Sequence, residues 1–132
     1  MTINELFPNI KNLPKTEVKG ITQNSKEAKD GFVFFAVKGH TVDGHDFIET
    51  AVSRGIAAVV SASDIETVYP IPVIKVQDID AAMADVACRF YANPAEALNV
   101  TGITGTKGKT SISYLLESVL FEAKKKPAVF GT

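Results

Sequence analysis

Hydrophobic and polar positions change rhythm along the chain, and each change marks an expected element. The first twenty residues are polar and irregular, broken by Pro8 and Pro14. A short helix or turn is expected around Ile3 to Leu6, then a strand near Glu17 to Ile21. "FVFFAV" (32–37) follows the turn signal Asp30-Gly31 and is rich in β-formers, so it reads as a strand. "GHTVDGH" (39–45) is a loop by composition. A helix is expected to open at Asp46, with Glu49 completing a capping box. Phe47, Ile48, Ala51 and Val52 share its face, and Gly55 is its stop. "IAAVVS" (56–61) and "PVIKV" (72–76) are short and nearly all apolar, as in strands covered on both sides.

The clearest helical period runs through "DIDAAMADVACRFYANP". Ile79, Ala82, Met83, Val86, Ala87, Phe90 and Tyr91 fall on one stripe. Asp78 or Asp80 can cap it, and Asn93-Pro94 ends it. Residues 1–92 therefore alternate strands and helices, an α/β domain. Residues 93–97 read as a linker. "ALNVTGIT" (97–104) is expected to be a strand running into glycines. From Lys109 the helical stripe returns at Ile112, Leu115, Leu116, Val119, Leu120 and Ala123. Lys124 to Lys126 stand at its C-terminal end, where positive charge suits the helix dipole. Pro127 breaks it, and "AVFGT" reads as the next strand. Residues 98–132 thus have the order strand, glycine loop, helix, strand, the opening of a Rossmann-like nucleotide-binding sheet.

Composition narrows the classes. Of the 132 residues, 45% are hydrophobic and 22% charged, with a net charge of −1. These are values of a globular chain, and no basic face with interleaved aromatics points to nucleic acid. No apolar run has the length of a membrane span, and "MTINELFPNIKN" lacks the form of a secretory signal. One cysteine, Cys88, excludes an internal disulfide and fits a reducing cytoplasm. It is expected to be a small thiol in or near a helix core.

The chemistry concentrates in "TGITGTKGKTS" (101–111). A helix N-terminus offers unpaired N–H groups and a partial positive charge. Glycines let the backbone close around an anion, a lysine adds a full charge, and the next hydroxyl can ligate Mg²⁺. Thr104, Gly105, Thr106, Lys107, Gly108, Lys109, Thr110 and Ser111 form the candidate ATP loop. Lys109 is assigned to the β/γ-phosphates as the catalytic lysine, and Thr110 to Mg²⁺. The ordinary phosphate-loop pattern needs glycine at 103, where this chain has Ile103.

That departure has a counterpart. The loop resembles that of the Mur ligase family, which carries Thr-Gly-Thr-Asn-Gly-Lys-Thr/Ser instead. "NSKEAKDGFVFFAVKGHTVDGHDFIETAVSRGIAAVV" is similar to the family's first domain, and "FYANPAEALNVTGITGT" to its junction with the second. The resemblance covers about residues 20 to 132. It implies an ATP-dependent amide ligase of peptidoglycan precursors, with ATP and Mg²⁺ as cofactors. Such an enzyme phosphorylates a carboxylate of a UDP-linked peptide, and an amine then displaces the phosphate. "ITGT" before Gly-Lys-Thr, Tyr91-x-x-Pro94 and "FGT" resemble the members that add the third residue, a diamino acid (L-lysine or meso-diaminopimelate). The D-Ala-D-Ala-adding members are the alternative, as is a non-catalytic nucleotide or UDP-sugar module. Folate-polyglutamate-type ligases share the loop but lack a "DGHDFI" type of first domain.

The resemblance also implies that Gln23, Asn24, Ser25, His40, Thr41 and Val42 contact the UDP end of the substrate. From the residues alone, Ser25 reads first as a turn hydroxyl and His40 as an exposed loop histidine. His45 and Asp46 read as helix entry and capping, and Asp43-Gly44 as a turn. Two positions depart from the family pattern. Lys107 replaces an asparagine and adds charge beside the phosphates. Lys26 replaces an arginine and cannot make its two-pronged contact. The family's three-domain plan implies that further Mg²⁺ ligands and a modified lysine lie beyond Thr132. The piece alone is therefore expected to bind small-molecule substrates but not to ligate them. An uncovered 98–132 unit is expected to self-associate through its exposed edge.

Overall fold

A computed structural model describes residues 1–39 and 42–131. They form two compact units, Met1–Pro94 and Ala95–Thr132.

The first unit is built on four parallel strands in the order β1-β2-β3-β4: Gly20–Thr22, Phe32–Phe35, Ala58–Ser61 and Val73–Lys75. Val33 pairs with Ile21 on one side and Ala58 on the other, and Val60 with Ile74. Alternation along the strands makes two cores, one per face. Val33, Phe35, Ala58, Val60 and Ile74 point to one face, where Ile3, Leu6 and Val86 join them. Those residues come from helices α1 (Ile3–Leu6) and α3 (Ile79–Phe90). Phe34 and Val59 point to the other face and pack with Ala28, Ile48, Ala51 and Ile56. Ile48 and Ala51 belong to α2 (Ile48–Ser53). Coverage on both faces explains why β2 and β3 read as unbroken apolar runs.

The ends of the elements are chemically fixed. The Glu5 carboxylate accepts from the Thr2 N–H (2.7 Å) and hydroxyl (2.8 Å), which starts α1. Asp78 caps α3, accepting from the N–H groups of Asp80 and Ala81, both at 3.0 Å. Arg89 donates to the Leu6 carbonyl (2.9 Å) and pairs with Asp85 (2.7 Å), tying α3 to the end of α1. Helix α3 closes with Asn93 N–H to Cys88 C=O and Ala92 N–H to Arg89 C=O. This is the 6→1 and 5→2 pair of a Schellman motif, made here with Ala92 in the left-handed region (φ 57°).

Three expectations in this unit change. The capping box at Asp46 and Glu49 does not form. The chain enters α2 through a 3-10 turn, Gly44–Phe47, and Asp43 caps that turn because its carboxylate reaches the His45 N–H at 2.9 Å. Cys88 is exposed, because the buried stripe of α3 centres on Val86. Tyr91 is exposed as well, since the helix has ended before it.

In the second unit a 3-10 turn, Pro94–Ala97, begins at the boundary, and one helix follows, α4 (Lys109–Glu122). The expected strands at 97–104 and 128–131 are not strands; residue 132 lies outside the described residues. A strand exists by its ladder, and neither segment finds a partner among the described residues. Helix α4 needs no such partner, because its hydrogen bonds are internal. Its stripe is present but only partly covered: Leu116 and Leu120 are half-buried, while Ile112, Leu115 and Val119 are exposed. Lys124 to Lys126 follow the helix and do not sit in its last turn. Lys124 (φ 58°) is the left-handed stop, with Lys125 N–H bonded to Leu120 C=O.

Candidate functional sites

In a parallel sheet, ligands meet the loops that leave the carboxyl ends of the strands. Gln23 to Ser25 leave β1 there, the 37–44 segment leaves β2, and Ser63 and Asp64 follow β3. Five backbone and side-chain bonds hold the first of these turns. Asn24 N–H donates to Thr22 Oγ1 (3.0 Å), and Asn24 Oδ1 accepts from Lys26 N–H (3.0 Å). Asn24 Nδ2 reaches Glu27 (3.2 Å), and Glu27 N–H returns to the Asn24 carbonyl (3.0 Å). Arg54, just past α2, donates to the Lys26 carbonyl at 2.6 Å. Both ends of the Asn24 amide are thus spent on the turn. Ser25 is only 8% exposed, while Gln23 is open to solvent. The side chain that makes this turn is Asn24, not Ser25.

After β2, residues 37–39 and 42–44 pair antiparallel. Lys38 and Asp43 bridge antiparallel, Gly39 N–H bonds Val42 C=O (3.0 Å), and Gly44 N–H bonds Val37 C=O (2.9 Å). A Cβ at Gly44 would lie 2.5 Å from the Val37 oxygen, so only glycine fits the crossing. Val42 is exposed. His40 and Thr41, both expected at the UDP end, lie outside the described residues.

A feature that the sequence reading missed sits at the end of this antiparallel pair. Asp43 Oδ1 lies 2.5 Å from His45 Nδ1, and His45 Nε2 lies 2.8 Å from Ser61 Oγ. Ser61 is the last residue of β3 and is fully buried. The order Asp, His, Ser is that of a hydrolytic triad, but the chemistry is not. The Ser61 oxygen accepts from Ser63 N–H (2.9 Å) and lies 2.9 Å from the Ser63 carbonyl. An oxygen so occupied and buried cannot attack a substrate. The His45 N–H, followed by its ring, holds the Asp43 carboxyl below the usual carboxylate range; burial opposes this and Lys38 adds to it. Two residues apart in sequence, Asp43 and His45 carried a weak signal. The polar end of the apolar run "IAAVVS" carried another. A 300 Å³ cleft adjoins them, lined by Lys38, Asp43, His45, Ser63, Asp64 and Tyr69 among others.

The second candidate site is the loop before α4. Gly108 is the N-cap, in the left-handed region (φ 78°), and contributes no side-chain cap. The first turn of α4 therefore keeps N–H groups directed out of the helix, with no acidic residue beside them. Residues 104–111 are exposed. Lys109 Nζ folds back onto the Gly105 carbonyl at 2.6 Å. Thr110 lies in the first turn, and its carbonyl accepts from the Ser113 hydroxyl at 2.7 Å. The segment is a bend leading into a helix, as an anion seat requires, and not part of a sheet. Among the described residues no cluster of three His, Cys, Asp or Glu could hold a metal.

A four-stranded parallel sheet in the first unit and a glycine-bearing loop that opens a helix in the second make this an α/β protein. The chain belongs to the Mur ligase family: the model described as "Mur ligase family, catalytic domain" matches residues 17–91. It is 49% identical over 115 residues to the UDP-N-acetylmuramoyl-L-alanyl-D-glutamate--2,6-diaminopimelate ligase of Aquifex aeolicus, covering 87% of this chain and 23% of that protein. The enzyme of the same name from Caldanaerobacter subterraneus is 40% identical over 123 residues, 93% of this chain and 26% of its own. The chain thus spans about a quarter of the length of these relatives. Among solved structures, a MurF ligase from Thermotoga maritima in complex with ADP matches 81% of this chain and 24% of its own, at 33% identity and a TM-score of 0.59. A structure of a 2,6-diaminopimelate ligase of the same type matches all of this chain and 28% of its own at a TM-score of 0.76, and at 24% identity shows the fold. Among the described residues, no helix is long and apolar enough to cross a membrane.

Proposed function

We propose that this chain carries the UDP-substrate domain (1–92), a linker (93–97) and the opening of the ATP domain (98–132) of a cytoplasmic peptidoglycan-precursor ligase. The reaction joins a diamino acid to UDP-MurNAc-L-Ala-D-Glu, and the relatives' names favour 2,6-diaminopimelate. The γ-phosphate of ATP passes to the substrate carboxylate, and the incoming amine displaces it, leaving amide, ADP and phosphate. Within this scheme Gly105 to Ser111 seat the terminal phosphates. Lys109 neutralises the charge that spreads over the phosphoryl oxygens as they transfer. The Thr110 hydroxyl is the Mg²⁺ ligand, and Mg²⁺ shields the same oxygens when bound. Gln23, Ser25 and the 40–42 segment receive the uridine diphosphate, with Asn24 shaping the turn beneath.

The observation that carries this reading is the solvent-facing start of α4, with Gly108 in the left-handed region and Lys109 immediately after it. The phosphate seat and the substrate rim supply binding. The exposed α4 residues Ile112, Leu115 and Val119 favour self-association. Calorimetry with ADP and with UDP tests the reading. Separate binding of each, with ADP weakened in a Lys109 variant and UDP retained, is the expected result. Failure of ADP to bind refutes it.

A further inference from the structure

Two lysines stand at the start of α4, and they differ in what they touch. Lys109 Nζ donates to the Gly105 carbonyl at 2.6 Å, a short-range contact inside the loop. Lys107 lies in the bend just before Gly108 and is exposed. Among the described residues no carboxylate pairs with it, whereas Lys19, Lys75 and Arg89 each hold one. The neighbouring sequence supplies no acid either: the flanking carboxylates are Glu96 and Glu117. Glu117 sits eight residues beyond Lys109 in α4, about 12 Å along the axis and past the Debye length of about 0.1 M salt. The first turn of the helix carries no acid, and its outward N–H groups add partial charge of the same sign. Lys107 is thus an uncompensated cation two residues from Lys109.

We propose that Lys107 is a specificity-determining residue that makes this loop sort nucleotides by the charge on their phosphates. The inference rests on the reading of residues 105–111 as the ATP site. A contact lysine such as Lys109 ends on one oxygen and is worth nearly the same to any ligand that places a phosphate there. A solvated ammonium acts instead through its field, and its attraction grows with every charge the ligand carries. Lys107 therefore favours ATP over ADP, and ADP over AMP, beyond what Lys109 supplies. Because this ammonium stands in water, salt screens it. Its exposure also keeps it out of the packing of α4, so its charge can be removed without unfolding the helix.

The test titrates the 132-residue chain with ATP, ADP and AMP in Mg²⁺-free buffer, where each nucleotide carries its full charge. Lys107→Gln keeps the length of the side chain and removes the charge. At about 20 mM salt it should raise the dissociation constants roughly tenfold for ATP, fivefold for ADP and twofold for AMP. Lys107→Glu reverses the charge and should about square each factor. Lys107→Arg keeps the charge and should stay within about twofold of wild type for all three. At about 0.5 M salt the Lys107→Gln and wild-type values should converge, while the loss in Lys109→Ala persists. The melting temperature and helical circular dichroism of Lys107→Gln should match wild type. An equal loss for the three nucleotides, or one that salt does not remove, marks a contact or structural role and overturns the proposal. Wild-type affinity in Lys107→Gln at low salt overturns it too. A wild-type chain that binds no ADP overturns the phosphate-seat reading and the inference with it.

Discussion

The Lys109 ammonium donates to the carbonyl of Gly105, four residues earlier and 2.6 Å away, across the mouth of the loop. An incoming phosphate must take that proton donor from a neutral oxygen and offers a charged one in return. The exchange favours the anion, because the ammonium then faces a full negative charge in place of a carbonyl dipole.

Removing the ammonium should therefore cost nucleotide affinity and nothing else. Lys109→Ala is expected to weaken ADP binding by about 1.5–3 kcal/mol, or roughly ten- to a hundredfold. UDP titration of the same variant should match wild type, since the first unit is untouched.

Gly108 is required for its backbone and not for space. Nothing lies within 4 Å of where its Cβ would stand, yet φ is +78°. Gly108→Ala should cost about 1–2 kcal/mol of strain at the loop, while asparagine at the same position should be tolerated better. ADP titrations of the two variants read the difference.

Gly44 presents the opposite case. A methyl there would press on the backbone oxygen and nitrogen of Val37, at 2.5 and 2.7 Å, and neither can swing away. Gly44→Ala should lower the stability of the first unit by about 1–3 kcal/mol, seen as an earlier urea midpoint.

Acid should weaken the first unit in a definable window. Asp43 is held low chiefly by the His45 N–H, and Glu5 by the Thr2 N–H. Both take up protons less readily when folded than when unfolded, so their stabilisation is present above the ordinary values of 3.8 and 4.5 and fades as pH falls through the folded ones. Asp43→Asn and Glu5→Gln should each flatten the acid limb of a stability profile. Lys19 has the reverse sign. Its bond to Asp30 raises its pKa, so its share persists below 10.5 and fades as pH rises through the folded value.

Ala92 spends energy to end α3 in the left-handed region, where glycine is at ease. Ala92→Gly should be neutral to stabilising by up to about 1 kcal/mol, against the usual penalty for adding a glycine. Thermal unfolding of the variant decides it.

Legibility in the sequence followed the range of the forces involved. The α3 stripe and the apolar runs of β2 and β3 were readable because burial repeats with the geometry of the element. The Gly-Lys-Thr helix start was readable because its residues act within one turn. The entry into α2 was misread because Asp43 and Asp46 are equally good caps in isolation. Only the antiparallel pairing, with Gly44 crossing Val37, gives the position to Asp43. The strands at 97–104 and 128–131 were misread because a strand is a relation between segments and not a property of one. The link from His45 to Ser61 spans sixteen residues and two elements, which no local pattern encodes.

The solitary thiol of Cys88 faces outward from α3. A maleimide dye can be attached there with no engineered residue, giving every molecule one fluorophore on the same helix. Its anisotropy would report dimer formation and ligand-dependent tumbling directly, in the unmodified sequence.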